Sequence, residues 1–173
     1  MPLKFRKWNY VLLSLVWIPG LTLSATPVGK QAGAALYQDE CASCHTAYPA
    51  ELLPTRSWQK ILAGLDQHFG DNISLGNTSL TTLARYLQAH SAERAGTHRA
   101  RRILQSIPQD QTPLRISTLP YIQRRHHELP ARLVTGNPQV KSLSNCIACH
   151  RGAERGVFNE DTVRIPGYGR WDD

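Results

Sequence analysis

Methionine is all but missing from this chain: Met1 is the only one among 173 residues. Aromatics are sparse, at three Phe, four Trp and six Tyr, and there are only four cysteines. No continuous apolar stretch reaches the ~20 residues that a spanning helix needs, which excludes a multispan membrane protein. With 41% hydrophobic and 19% charged residues, the chain is neither collagen-like nor a disordered tail, and it should fold as a soluble globule. Its length allows one sizeable domain or two small ones. Acidic residues are outnumbered 13 to 20 by Lys and Arg, a formal charge of +7. Such an excess first suggests nucleic acid or an anionic surface as partner.

Residues 1–25 read as a segment to set aside before the fold is considered. Lys4, Arg6 and Lys7 form a positive start, Tyr10 to Ile18 is an apolar run ended by Pro19-Gly20, and Leu23-Ser24-Ala25 offers small residues suited to cleavage. This is the layout of a secretory signal peptide; a membrane anchor is the rival, with membrane association expected only if the segment stays uncleaved, and the run falls short of a spanning helix. Its removal takes away three cations and Met1, so the remaining chain is formally +4 and has no methionine.

Export would normally make four cysteines look like two disulfides. Their spacing argues otherwise. They occur as Cys41-Ala42-Ser43-Cys44-His45 and Cys146-Ile147-Ala148-Cys149-His150, two copies of the C-x-x-C-H signature of c-type haem attachment. On a helical turn, residues i, i+3 and i+4 share a face, so two thiols can bond the two vinyl groups while the adjacent imidazole reaches the iron. A structural zinc site is the rival. The two pairs lie about a hundred residues apart, however, far beyond ribbon spacing, and zinc gives no reason for His45 and His150 to stand where they do.

The other axial position can be approached by elimination. His/Met coordination needs a methionine, and none remains. Each iron therefore takes a second histidine, stays open, or accepts an unusual ligand such as Lys, Tyr or an amine. Five histidines lie outside the motifs: His68, His90, His98, His126 and His127. Trp58, Ile61, Leu62, Leu65 and Phe69 recur at helical intervals, with Ser57 placed to cap and Gly70 to end, so a helix is expected to carry His68 beside its apolar stripe. Thr118 suits an N-cap and Pro120 a first turn, which predicts a short helix with Leu119, Ile122 and His126 on one side. His127 falls about 100° around that helix, nearer solvent. His90 and His98 flank a polar stretch and are expected to be exposed.

Several segments, in this order, resemble the dihaem cytochromes c of bacterial periplasms. They are Cys41 to Pro49 with Leu52-Leu53-Pro54 and Trp58, then His68-Phe69-Gly70 with Ser74-Leu75, then Tyr86-Leu87. Arg115-Ile116-Ser117, Tyr121 to Glu128, and Ser144-Asn145-Cys146 through Glu154, Gly156 and Phe158 to Ile165-Pro166 complete the set. The resemblance implies a periplasmic electron-transfer protein with two haem c groups, each iron held by two histidines. Matched residue by residue, it pairs His68 with His45 and His126 with His150. This chain has His126-His127 where the family's segment usually carries one histidine, so His127 stands as the alternative. The resemblance also implies a small monohaem c-type cytochrome as recipient and a membrane cytochrome b as donor.

The expected architecture is all-α, mainly helical with long loops. Residues 26–90 form a class I cytochrome c-like N-terminal haem domain, with helices around Gly33 to Glu40, at Trp58, and through Leu80, Leu83, Ala84 and Leu87. Residues 91–114 are a charged connection, and residues 115–173 a smaller C-terminal haem domain with a Gly136-Asn137-Pro138 turn. With nine Phe, Tyr and Trp residues after position 25, two haems would supply much of the core.

An electron carrier, not an enzyme, is expected. The alternative is a haem enzyme with one open or labile iron, of peroxidase or nitrogen-oxide reductase type, although no separate acid/base constellation is evident. Arg99, Arg101, Arg102, Arg124 and Arg125 could form a docking surface or simply solvated faces, and Arg115 could pair with a haem propionate. Four propionates and two ferric cores bring +4 down to about +2, which weakens the case for a polyanion partner.

Overall fold

The computed structural model describes residues 28–171. The segment read as a signal peptide lies outside these residues. Among the described residues, seven α-helices linked by turns of 3-10 helix make up most of the regular structure, with one two-stranded ladder near the end. Among the described residues no helix is long and apolar enough to cross a membrane.

Helix α1 (Val28–Cys41) runs into the first cysteine motif and packs across α3 (Asn77–His90). Gly33 permits the crossing: a Cβ there would lie 2.9 Å from Cβ of Tyr86, closer than side chains tolerate. Tyr37, four residues on, is buried against Trp58 and Tyr86, and its hydroxyl donates to the Tyr48 carbonyl at 2.6 Å. Leu83 and Leu87 follow the i, i+4 rule and are fully buried on the inner side of α3.

Helix α2 (Thr55–Ala63) departs from expectation at both ends. Pro54 holds the N-cap position, and Ser57 is buried inside the first turn. The helix stops at Gly64, whose backbone leaves the helical region, and residues Leu65–Gln67 tighten into a 3-10 turn. His68 thus sits just after that turn and not on the helix. The N-terminus of α2 is satisfied from elsewhere: Glu93 accepts from the Thr55 amide at 2.9 Å, and Ser91 and Thr55 hydroxyls lie 2.8 Å apart. Burial opposes ionisation of Glu93, but these hydrogen bonds prevail and hold its carboxyl below the ordinary range.

The segment 91–114, expected as a charged connection, is part of the core. It carries α4 (Ala92–Ala95), ended by Gly96 in the left-handed conformation, and α5 (His98–Ser106), capped by Thr97. Ala100, Ile103 and Ile107 bury one side of α5 while its arginines occupy the other. Helix α6 (Pro120–Arg125) starts with Pro120 in its first turn, as expected, but with Leu119 rather than Thr118 at the N-cap position, because the Thr118 hydroxyl turns back to the Arg115 carbonyl. Helix α7 (Cys146–Cys149) is a single turn within the second motif, and β1 (Arg164–Ile165) pairs antiparallel with β2 (Gly169–Arg170). One buried cluster joins Tyr37, Leu52, Trp58, Leu83, Leu87, Ile103 and Leu119. Of the residues after 119, Tyr121, Ile122 and Phe158 pack against that cluster, while the buried Leu133, Val134, Val140, Ala153 and Ile165 lie outside it.

Candidate haem sites

Both motifs face one large cavity of about 1830 Å³, lined by all four cysteines and by His45, His68, His126 and His150. Typical small-molecule pockets span about 300–1000 Å³, so this space suits more than one bulky group. No disulfide joins any two of the four cysteines. Burial, with Glu40 adding, pushes the Cys41 thiol up to about 11, and burial also raises Cys146 and Cys149. No three Cys, His, Asp or Glu side chains gather into a metal cluster among the described residues.

At the first site the His45 and His68 rings have centroids 6.1 Å apart and planes 21° from parallel. His45 Nδ1 lies 2.7 Å from the Thr46 carbonyl, which suits a donated hydrogen bond and leaves Nε2 as the free nitrogen, and Tyr48 stacks on the ring at 5.0 Å. His68 lies in a tight turn closed by the Asp71 amide donating to the His68 carbonyl at 3.0 Å. Both central residues, Phe69 and Gly70, have positive φ. Burial, then the neighbouring His45, lowers the pKa of His68, which favours the neutral imidazole that metals bind.

At the second site His126 and His150 have centroids 6.1 Å apart with planes at 82°. His126 caps the C-terminus of α6, with Nδ1 2.8 Å from the Ile122 carbonyl. His150 is pushed down to about 4 by burial, with His126 and Arg99 adding to the effect. Its Nδ1 is buried without a hydrogen-bond partner. His127 points elsewhere: it is exposed and lies 3.5 Å from Glu128. His90 and His98 are exposed.

The residues fit a metal held between paired imidazoles. An imidazole nitrogen binds a first-row metal at about 2 Å and lies about 1 Å from its ring centre, so two imidazoles across one metal have centres about 6 Å apart. Both pairs show that separation. In each, the adjacent cysteine pair lines the same cavity.

Three residues that tie the sites together escaped sequence reasoning. Tyr48, stacked on His45, donates its hydroxyl to the Ser144 carbonyl at 2.7 Å, two residues before Cys146. Arg99, expected on a docking surface or a solvated face, is half-buried: it donates to Glu51 at 2.7 Å and to the Gly156 carbonyl at 3.0 Å. Position i+3 from His45 is the one local signal for Tyr48. Arg99 and Glu51 have none, since their partners are distant in sequence. Arg125 pairs with Glu160, and the Arg115 guanidinium lies over the ring of Phe69.

The family model for dihaem cytochrome c matches residues 37–158. Among solved structures, the chain is similar to a dihaem cytochrome type c from Shewanella baltica OS155, at 44% identity and a TM-score of 0.67, covering 81% of this chain and 98% of that one. It is similar also to dihaem cytochrome c from Rhodobacter sphaeroides, at 46% identity and a TM-score of 0.64, covering 72% of this chain and 95% of that one. A second structure, of the protein purified from Rhodobacter sphaeroides, gives 41% identity and a TM-score of 0.55, covering 72% and 96%. No curated protein matches the chain.

Proposed function

The chain belongs to the dihaem cytochrome c family, an electron-transfer family whose members carry two haem c groups with iron, and from that premise we propose a low-potential carrier with two histidines on each iron. The observation that carries this reading is the pair of imidazole–imidazole separations, 6.1 Å at both sites. His45 and His68 serve the first iron, His150 and His126 the second. Bound haem supplies a one-electron couple that cycles without making or breaking bonds to substrate.

The chain's own residues keep that couple closed to substrate. With His45 and His68 holding one iron and His150 and His126 the other, neither would keep a position for substrate, and dispensing with methionine would favour a low potential. The Thr46 and Ile122 carbonyls hold Nδ1 of His45 and His126, which fixes their tautomers. Cys41, Cys44, Cys146 and Cys149 attach the haems covalently. Residues 26–90 are read as a class I-like haem domain, on the packing of α1 across α3 at Gly33, and residues 115–173 as a second, smaller one.

The cellular setting is the periplasm, reached through the signal peptide at 1–25. The recipient is a small monohaem c-type cytochrome and the donor a membrane cytochrome b. Exposed Arg101, Arg102 and Arg124 suit docking of an acidic partner, which a fall in transfer rate with added salt would register.

Electron paramagnetic resonance of the purified ferric protein tests the ligation. Two low-spin signals are expected, with the wider g-spread from the 82° pair, because crossed imidazoles act on different iron d orbitals and leave them nearly degenerate. His68→Ala and His126→Ala should each turn one haem high-spin, and His127→Ala neither. A high-spin signal in the unaltered protein that cyanide or nitrite changes would replace the carrier with the open-site enzyme.

A further inference from the structure

Phenylalanine occurs three times in the chain, and the two in the described residues each meet a histidine ring and a guanidinium, Phe69 from an exposed position and Phe158 from a half-buried one against the core. Phe69 meets the His68 ring edge-on, centroids 4.9 Å apart and planes at 64°, and the Arg115 guanidinium carbon lies 4.0 Å from the Phe69 centroid. Phe158 meets the His150 ring at 5.4 Å, again at 64°, and the Arg99 guanidinium carbon lies 4.6 Å from the Phe158 centroid. Each site thus carries a column in the order arginine, phenylalanine, histidine. In both, the arginine comes from outside the haem domain that supplies the histidine: Arg115 lies beyond residues 26–90, and Arg99 before residues 115–173.

Core packing does not explain Phe69, which is 46% exposed. Its φ of +54° is unfavourable for an aromatic residue, at a cost of about 1–3 kcal/mol, and such strain persists where surrounding contacts hold it. The contacts present are the guanidinium over its face and the imidazole of the preceding residue at 64° to its plane. A guanidinium over an aromatic face contributes about 0.5–2 kcal/mol, and an edge-to-face ring pair has a defined angular preference.

We propose that Arg115 and Arg99 are positioning residues of the two haem sites, each acting through a phenylalanine ring to fix the plane of one histidine, His68 in the first column and His150 in the second. The proposal rests on the histidine-ligation reading above. Each guanidinium lies over the face of its phenylalanine, and that phenylalanine packs at 64° against the histidine ring. The arginine charge also bears on the imidazole through space, a route that the double variant separates from the contact route. Because the angle between two imidazole planes governs the g-values of a low-spin iron, a column that loosens changes the spectrum without losing the ligand.

The experiment is electron paramagnetic resonance of the ferric holoprotein with variants in each column. Arg115→Leu and Phe69→Leu should each shift the g-values of one low-spin signal, the same one that His68→Ala abolishes. The double variant should shift it no further than either alone, and Arg115→Lys should restore most of the original position, since an ammonium also sits on a ring face. Phe69→Gly relieves the left-handed backbone, so an unshifted signal there would reduce Phe69 to a turn former and overturn the proposal. Additive shifts in the double variant would make Arg115 a direct charge on the haem and overturn it as well. In the second column, Arg99→Leu and Phe158→Leu should shift the other signal, while Glu51→Gln, which removes the ion pair and keeps the column, should not. Equal shifts in Glu51→Gln and Arg99→Leu would overturn that half. If His68→Ala abolishes no low-spin signal, the ligation reading fails; if it does and Arg115→Leu leaves the g-values in place, the positioning alone fails.

Discussion

The two haem sites present imidazoles at the same separation on very different supports. The first is built against α1, α2 and α3, and the continuous buried cluster that includes Tyr37, Trp58, Leu83 and Leu87 stands behind it. The second has a one-turn helix, 3-10 turns and a two-residue ladder, and its buried residues lie outside that cluster. Polar links supplement the half-buried packing of Tyr121, Ile122 and Phe158 there: Tyr48 to Ser144, Arg99 to Gly156, Asn137 to Pro166, and Arg125 to Glu160. The first two of these anchor the second site to residues that precede it by more than fifty positions. A chain poor in aromatics can therefore hold one site by its core and the other by tethers to that core, so the second depends on the first more than the reverse.

Removing haem attachment tests that dependence with the largest effect. Cys41→Ala with Cys44→Ala should cost most of the helical circular dichroism of the whole protein, whereas Cys146→Ala with Cys149→Ala should keep the helices of residues 28–106. Equal losses would make the two halves a single cooperative unit. A middle-sized effect separates their cores: Leu83→Ala should cost about 2–5 kcal/mol in denaturant unfolding, against about 1–2 kcal/mol for Val140→Ala, where less apolar area is lost. Comparable values would place the second site on packing as firm as the first. The smallest effect is that of Arg125→Ala, which breaks an exposed pair and should lower stability by less than about 1 kcal/mol in a thermal melt.

The attachment motifs were legible because their chemistry is local, five residues each with a spacing that a helical turn dictates. Helices α1 and α3 were legible through their apolar periodicity. Helix α5 was not, because Ala100 and Ile103 are masked by Arg99, Arg101 and Arg102 around them, and only burial reveals which side faces in. The break in α2 was hidden for the opposite reason. Leu65 and Phe69 continue the helical spacing past Gly64, while the backbone turns into a 3-10 segment and a left-handed turn. His68 emerged as a candidate although its setting was misread, since the residue type and its resemblance segment do not depend on helix boundaries. Tyr48 and Ser144, 96 positions apart, lay beyond any local pattern.

That both motifs line a single cavity has a consequence for how the protein fills with electrons. Charges separated by low-dielectric walls rather than water interact strongly, by about 4 kcal/mol at 4 Å for an effective dielectric of 20 and less in proportion to distance. The first electron to arrive therefore raises the cost of the second, even for two irons of equal intrinsic affinity. The titration belongs to the pair, and its two steps describe occupancy of the molecule rather than the character of either site.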